Sequence, residues 1–510
     1  MSQQPQPSPE HESSDESQKS NDAAALPNRR TPRWLVFLKP KVGLPLAILL
    51  VLVSIPLAYR SWRISSLPPI DEPFDVKAFL AETVPDEENA FVEYRRAFAM
   101  LVDYSGPSNV WDSYHERMEG RWDDVPSDFE PWFKANESTL EMWLEGTKKP
   151  KGCFTPRRKF TIVPPDYPSD ARTLARLAVL KAGKLTHDGN VKESWELLHG
   201  AVRFSLHVGQ SDTLIERLTG AGIQPMIHLG LCAWAHHPKT TAADIERASD
   251  ALSNDYSTLT RPLSVTLKTE YVIAKPMLPL INQGIGVFHD NSTVEIAYMF
   301  VIGEPQFSEL ALKHVLANQL EGVDNDPSTR PSFVRGSISL FDLKSSTSRP
   351  LSGADLEKTF IPVPAIDLLA GFPQLKLIIA VRDHESLHHS SLLAVLAIER
   401  FVRRNGRFPA SLEECSQIVD SERFSDPYQT ANRPLIFRAN ADYAVVYSLG
   451  TDGVDDAYPV EPPDGNQQSS VTRLSHLGQT FEGYRIPLWR PESDADVDED
   501  DSVVSDNVQD

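Results

Sequence analysis

Residues 42–59 read VGLPLAILLVLVSIPLAY, eighteen positions without a charge, bounded by Lys41 and Arg60. As a helix rising 1.5 Å per residue this stretch is about 27 Å long, close to the thickness of a bilayer's hydrocarbon core. It predicts a single membrane-spanning helix that divides the chain into a short leading segment and a large body. Pro45 and Pro56 fall near its ends, where helix breakers are tolerated, and Trp34, Tyr59 and Trp62 suit the two interfaces. About 40 residues precede the apolar run and no small-residue cleavage site follows it, so an uncleaved anchor is expected rather than a removed signal peptide.

The flanks give an orientation. Arg29, Arg30, Arg33, Lys39 and Lys41 stand before the run, and only Arg60 and Arg63 follow it before Lys77. The positive-inside tendency then puts residues 1–41 in the cytoplasm and the rest of the chain beyond the membrane. For a bacterial cell this means the inner membrane, with the bulk of the chain periplasmic. Residues 1–28 are rich in Ser, Gln, Pro and acids, and residues 491–510 carry nine acids and no Lys or Arg. Neither end has the apolar content to fold, so both are expected to be disordered tails. The formal net charge of -21 argues against nucleic acid as a partner, because phosphate binding needs a basic face. The three cysteines, Cys153, Cys232 and Cys415, are widely separated and form no CxxC pair, which removes thioredoxin-like and zinc-ribbon chemistry.

A Pro-rich linker over 60–72 leads into a helical domain over 73–321. Its most periodic part is 170–236, where Leu174, Leu177, Ala178 and Leu185 share one helical face and Trp195, Leu198, Val202 and Leu206 another. Between them Gly189 suits a left-handed helix end, and Asn190 with Glu193 has capping-box spacing. A third helix runs through Leu214, Leu218, Met226 and Leu229. The pattern is of antiparallel helical hairpins, similar to tetratricopeptide stacking but without a fixed period, and it implies protein partners. Trp111, Trp122, Trp132 and Trp143 crowd one segment; Trp132, Phe133 and Trp143 are expected to pack as core along a helix, with a sugar-stacking platform over 111–143 as the alternative. Residues 322–362 turn polar and irregular and read as a linker before a last domain over 363–490.

That last domain carries the most specific pattern. The helix through AIERFVRRN ends at Gly406 and turns through Phe408 and Pro409, and Ser411 with Glu414 caps a short helix. SDPYQ and two strand-like runs, PLIFRA and DYAVVYSLG, follow, and the second ends in GTDGVDD. Together AIERFVRRNGRFPASLEE, SDPYQ and YAVVYSLGTDGVDD resemble the globular head of the type II secretion major pseudopilin, over residues 390–458. The resemblance implies a small α+β domain and a calcium site after the SLG-x-DG signature, with Asp452, Asp455 and Asp456 at the matching positions. The anchor lacks a prepilin cleavage site and lies more than 300 residues from the head, so the fold is implied and filament assembly is not. The whole chain also resembles a group of bacterial membrane-anchored proteins with a helical ectodomain.

One motif points to an enzyme. His384-Glu385-Ser386-Leu387-His388 reads HExxH, which on a helix presents two imidazoles on one face to zinc with Glu385 as general base. The extended motif fails, since Ser391 and Ala394 occupy its Gly and final His positions. Glu399 lies about 16 Å further along the helix, and only Glu413 or Glu414 could supply a third ligand. No phosphate-binding, dinucleotide-binding or nucleophile-elbow motif is present. The expectation is a single-pass envelope protein that binds other proteins without catalysis, with a membrane-tethered zinc peptidase as the alternative.

Overall fold

The computed structural model describes residues 40–65, 69–106, 117–118, 121–122, 129–160, 166–278, 297, 300–301, 303–320, 323–325, 343–344, 350–351, 374–416, 424–429, 433–450, 453–455, 472–473 and 483–487. Both expected tails, Trp111, Asp452, Asp456 and nearly all of the expected linker over 322–362 lie outside these residues. The described chain is mostly helical. It divides into two units, Met1–Tyr59 and Arg60–Asp510.

The first unit contains most of helix α1 (Pro40–Ser65), which begins before the uncharged run and continues past it. Leu44–Ser65 is long and apolar enough to cross a membrane. Its large aliphatic side chains between Leu44 and Leu57 face outward, from Leu46 at 39% exposed to Leu44, Leu52 and Ile55 at 63%.

In the second unit, α2 (Val76–Ala81) starts where the Asp75 carboxylate accepts from the Ala78 amide. The helices α3 (Phe91–Met100), α4 (Phe129–Ala135) and α5 (Glu137–Thr147) follow. They pack an aromatic cluster in which Trp132 and Trp143 are buried and the Trp132 indole donates to the Val102 carbonyl at 2.7 Å. Next come α6 (Pro168–His187), α7 (Val191–Gly209) and α8 (Leu214–His236), each packed on the other two. Leu174, Leu177 and Ala178 of α6 are fully buried, as the apolar spacing requires. Gly189 ends α6 at φ 75°, and the Asn190 amide reaches back to the Leu185 carbonyl. Asn190 occupies the N-cap of α7 without a side-chain cap bond; the capping box forms one helix later, between Thr213 and Glu216. Where α7 meets α8 a glycine is obligatory: a Cβ on Gly220 would stand 2.5 Å from the Ser205 carbonyl oxygen.

Helix α9 (Ala242–Leu259) is capped by the Thr241–Asp244 box. Then α10 (Leu263–Ala274) and α11 (Gln306–Leu320) pair in a smaller apolar cluster around Leu267, Tyr271, Phe307 and Leu316. The longest helix, α12 (Gln374–Asn405), lies against α8 and α9. Its residues 392–398 share one continuous core with α6–α9 and with Ala444, Val446 and Ile486 from the sheet. Gly406 closes it at φ 68°. After α13 (Leu412–Ser416), strands β3 (Ile436–Ala439), β4 (Tyr443–Tyr447), β5 (Thr472–Arg473) and β6 (Gly483–Pro487) form an antiparallel sheet in the order β3-β4-β6-β5. Strands β1 (Leu343–Lys344) and β2 (Pro350–Leu351) pair separately.

Polar contacts pin α12 onto its bed. Glu399, 1% exposed, accepts from His236 at 2.9 Å, and Arg400 pairs with Glu246. Arg403 donates to the carbonyls of Ala235 and His237 at the end of α8, where helix-terminal oxygens lack intrahelical partners.

Candidate functional site

The HExxH residues sit on the stretch of α12 that faces α8 and α9. His384 Nε2 and His388 Nε2 are 3.0 Å apart, and His388 Nδ1 lies 3.2 Å from His228 Nδ1 on α8. The rings of His384 and His388 meet edge to face, 4.4 Å between centroids. Three neutral imidazoles can form such a chain because each has one N–H to give and one nitrogen to accept. Glu385 points to a different partner: its Oε2 accepts from Arg217 Nη2 at 3.1 Å, and that guanidinium is buried. Among the described residues no group of three or more His, Cys, Asp and Glu side chains is arranged to hold a metal ion. Glu413 and Glu414 lie on α13, where Glu414 accepts from the Ala410 amide and from Arg407 at 2.6 Å.

Of the three calcium candidates, Asp455 is described. Its carboxylate receives Arg438 Nη2 and the Tyr447 hydroxyl, both at 2.7 Å, so it clamps β3 to β4. The more buried acid of this region is Asp426 of SDPYQ. It accepts from the Ser448 hydroxyl at 2.8 Å and from the amides of Leu449 and Tyr428 at 3.0 Å, joining SDPYQ to the end of β4. Burial raises its pKa against those bonds. Gln429 adds a bond from Nε2 to the Gly450 carbonyl at 2.8 Å.

A second polar cluster occupies the turn between α7 and α8. Asp212, at φ 75°, is clamped by Arg157 Nε at 2.7 Å and Arg261 at 3.3 Å. Glu216, fully buried, accepts from the Tyr167 hydroxyl at 3.0 Å, and burial pushes its pKa to about 8. The signal in the sequence is polar side chains spaced through an otherwise apolar helix, Glu216, Arg217, Gln224 and His228 in α8.

Between α7, α8, α9 and α12 the packing leaves a cavity of about 650 Å³. Gln224 of α8, Asp250 and Tyr256 of α9, and Arg382, Glu385 and His389 of α12 contribute to its wall. Glu385 is therefore the one member of the HExxH pattern that reaches both this cavity and the Arg217 ion pair. The Tyr256 and His389 rings stack with centroids 3.8 Å apart.

No family model, curated protein or solved structure matches this chain.

Proposed function

We propose that this is a single-pass membrane-anchored protein that works by binding rather than by catalysis. In this reading it is held in a bacterial inner membrane, with residues 1–41 cytoplasmic and the helical body on the periplasmic side. The observation that carries the reading is the outward apolar surface of α1: ten large aliphatic side chains between Leu44 and Leu57, each 39–63% exposed. A contiguous patch of that extent is not left in water by a soluble monomer. Orientation rests on the five cations before the uncharged run against two after it.

Non-catalytic action is supported by the state of Glu385, which is engaged with Arg217 rather than beside an open centre on His384 and His388. Protein partners, including a link to secretion, rest on the hairpins of α6–α8 and on the sequence resemblance of residues 390–458 to a pseudopilin head. The test is alkaline extraction of membranes from cells making the full chain, followed by protease treatment of spheroplasts. Retention in the membrane pellet and digestion of the body from outside are expected. A soluble chain, or one cut just after α1, overturns the reading.

A further inference from the structure

We propose that the helical face carrying Ala297, Phe300 and Val301 lies in the lipid interface where α1 leaves the membrane, and so gives the body a second contact with the bilayer. The inference rests on the reading of α1 as a membrane anchor. It starts from where the exposed aromatic rings stand. Among the described side chains the exposed Phe, Tyr and Trp residues are Trp62, at 58%, and Phe300, at 50%. Trp62 follows Arg60 by two residues, and Arg60 is the first residue after the uncharged run. Phe300 comes 240 positions after Arg60, yet the Arg60 guanidinium lies 4.4 Å from the centre of its ring and donates to its carbonyl. Both exposed rings of the body are therefore gathered at one place.

The fold holds Phe300 there through several contacts. Arg60 also donates to the Gln306 side chain, and Arg63 stacks 4.4 Å over the ring of Phe307, which is fully buried in the cluster around Leu267 and Tyr271. Between them Gly303, at φ 86°, lets the chain approach α1 closely, since a Cβ there would stand 3.0 Å from Ile64 Cγ1. Ala297, Phe300 and Val301 are helical, and their spacing of three and four residues puts them on one face. Ala297 and Phe300 on that face are exposed and Val301 is half-buried.

The chemistry of this face selects lipid as its occupant. The sequence of 296–302, IAYMFVI, carries no charge between Glu295 and Glu304. Glu304 is turned inward at 2% exposed and accepts from the Ser308 amide at 3.3 Å, so its carboxylate is not presented to the bilayer. The polar layer on each side of a bilayer is roughly 5–7 Å thick. Trp62 stands about 3 Å beyond Arg60 along the helix. Trp62 and a ring in contact with Arg60 thus both fall within that layer, the level at which aromatic side chains gather and apolar helix faces insert. Half of the Phe300 ring left in water forfeits apolar burial that insertion recovers.

The experiment uses the full-length chain in liposomes of phosphatidylethanolamine and phosphatidylglycerol. The photoreactive residue p-benzoylphenylalanine replaces Phe300, Ala297 or Leu52 in turn, and the adducts formed on irradiation are identified by mass spectrometry. Leu52 reports on the anchor alone. Phospholipid adducts are expected from all three positions. Phe300→Asp, made in the chain that carries the probe at 297, is expected to remove the lipid adduct there. The same change should leave the Leu52 adduct and the unfolding midpoint as they are in the native chain. The proposal is overturned, with the anchor left standing, if Leu52 captures lipid while positions 297 and 300 capture a second copy, another segment of the chain, or nothing. Lipid at none of the three positions overturns the anchor and this contact together. An adduct at 297 that persists undiminished in Phe300→Asp also overturns it, because Phe300 would then not be what seats this face.

Discussion

Helices α1 and α12 are the longest described, 26 and 32 residues, and each contains a long uncharged run. Their surroundings are opposite. The aliphatic side chains of α1 between Leu44 and Leu57 are all at least 39% exposed, whereas residues 392–398 of α12 are at most 1% exposed. Hydropathy and the spacing of charges both separate the two: among the described residues only α1 is apolar enough over a bilayer's width. The uncharged run of α1 lasts eighteen residues, and that of α12 lasts thirteen, from Ser386 to Ile398, about 20 Å and too short for a bilayer. The charges that bound the uncharged run of α12 meet partners on α8 and α9: Glu385 with Arg217, Glu399 with His236, and, one residue on, Arg400 with Glu246. A core helix carries charge where its neighbours are built to receive it, whereas residues 44–57 of α1 carry none and pack against no such neighbours.

The same substitution in the two helices is the strongest way to break this contrast. Leu50→Arg together with Leu52→Arg should cost about 5 kcal/mol of membrane insertion and move the protein to the soluble fraction. The unfolding midpoint of the body should not change, and a shifted midpoint would deny that α1 is separate from the core. Leu396→Arg, by contrast, buries an unpaired charge, costs more than about 4 kcal/mol, and should abolish cooperative unfolding.

A smaller effect sharpens the pairing argument. Arg217→Met leaves Glu385 without its cation and should cost about 1–3 kcal/mol, and Glu385→Gln in the same background should recover part of that loss. Chemical denaturation of the four proteins in this cycle measures the coupling. Additive losses would mean that the ion pair contributes nothing to holding α12.

Per pH unit the smallest effect, at most about 1.4 kcal/mol, belongs to a buried acid held by hydroxyl and amide groups. Glu216 accepts only from Tyr167 and Thr213, and its folded pKa of about 8 lies above the ordinary 4.5. The folded state therefore holds a proton that the unfolded chain has lost between those two values. The contribution of Glu216 to stability is fully present below pH 4.5, falls as pH rises through the window, by at most about 1.4 kcal/mol per pH unit, and levels off above about 8. Glu216→Gln retains the capping-box geometry and should flatten that slope, which unfolding midpoints between pH 5 and 8 would show.

Much of the local structure was legible because its causes are local. Gly189 and Gly406 end their helices with positive φ, as their positions after apolar periodic runs require. The buried faces of α6 and α7 follow from the spacing of Leu174, Leu177, Leu198 and Val202. The cavity was not legible, because Gln224 and Tyr256 belong to different helices and the Arg382, Glu385 and His389 that complete it come more than 120 residues later. HExxH illustrates the same limit. The spacing put His384 and His388 on one face, and it carried no information that Arg217 would hold Glu385 or that His228 would stand beside His388. Trp132 and Trp143 followed the rule for large aromatics in a periodic segment and lie in the core.

The cysteines give the molecule an intrinsic clock. None of the three is bridged, Cys232 and Cys415 are buried, and burial pushes the Cys153 and Cys415 thiols up to about 11 and about 12. Thiolate is the form that alkylating reagents attack, so the native chain should label slowly at neutral pH and quickly once it opens. The rate of maleimide uptake by the native chain would then time the opening of the body.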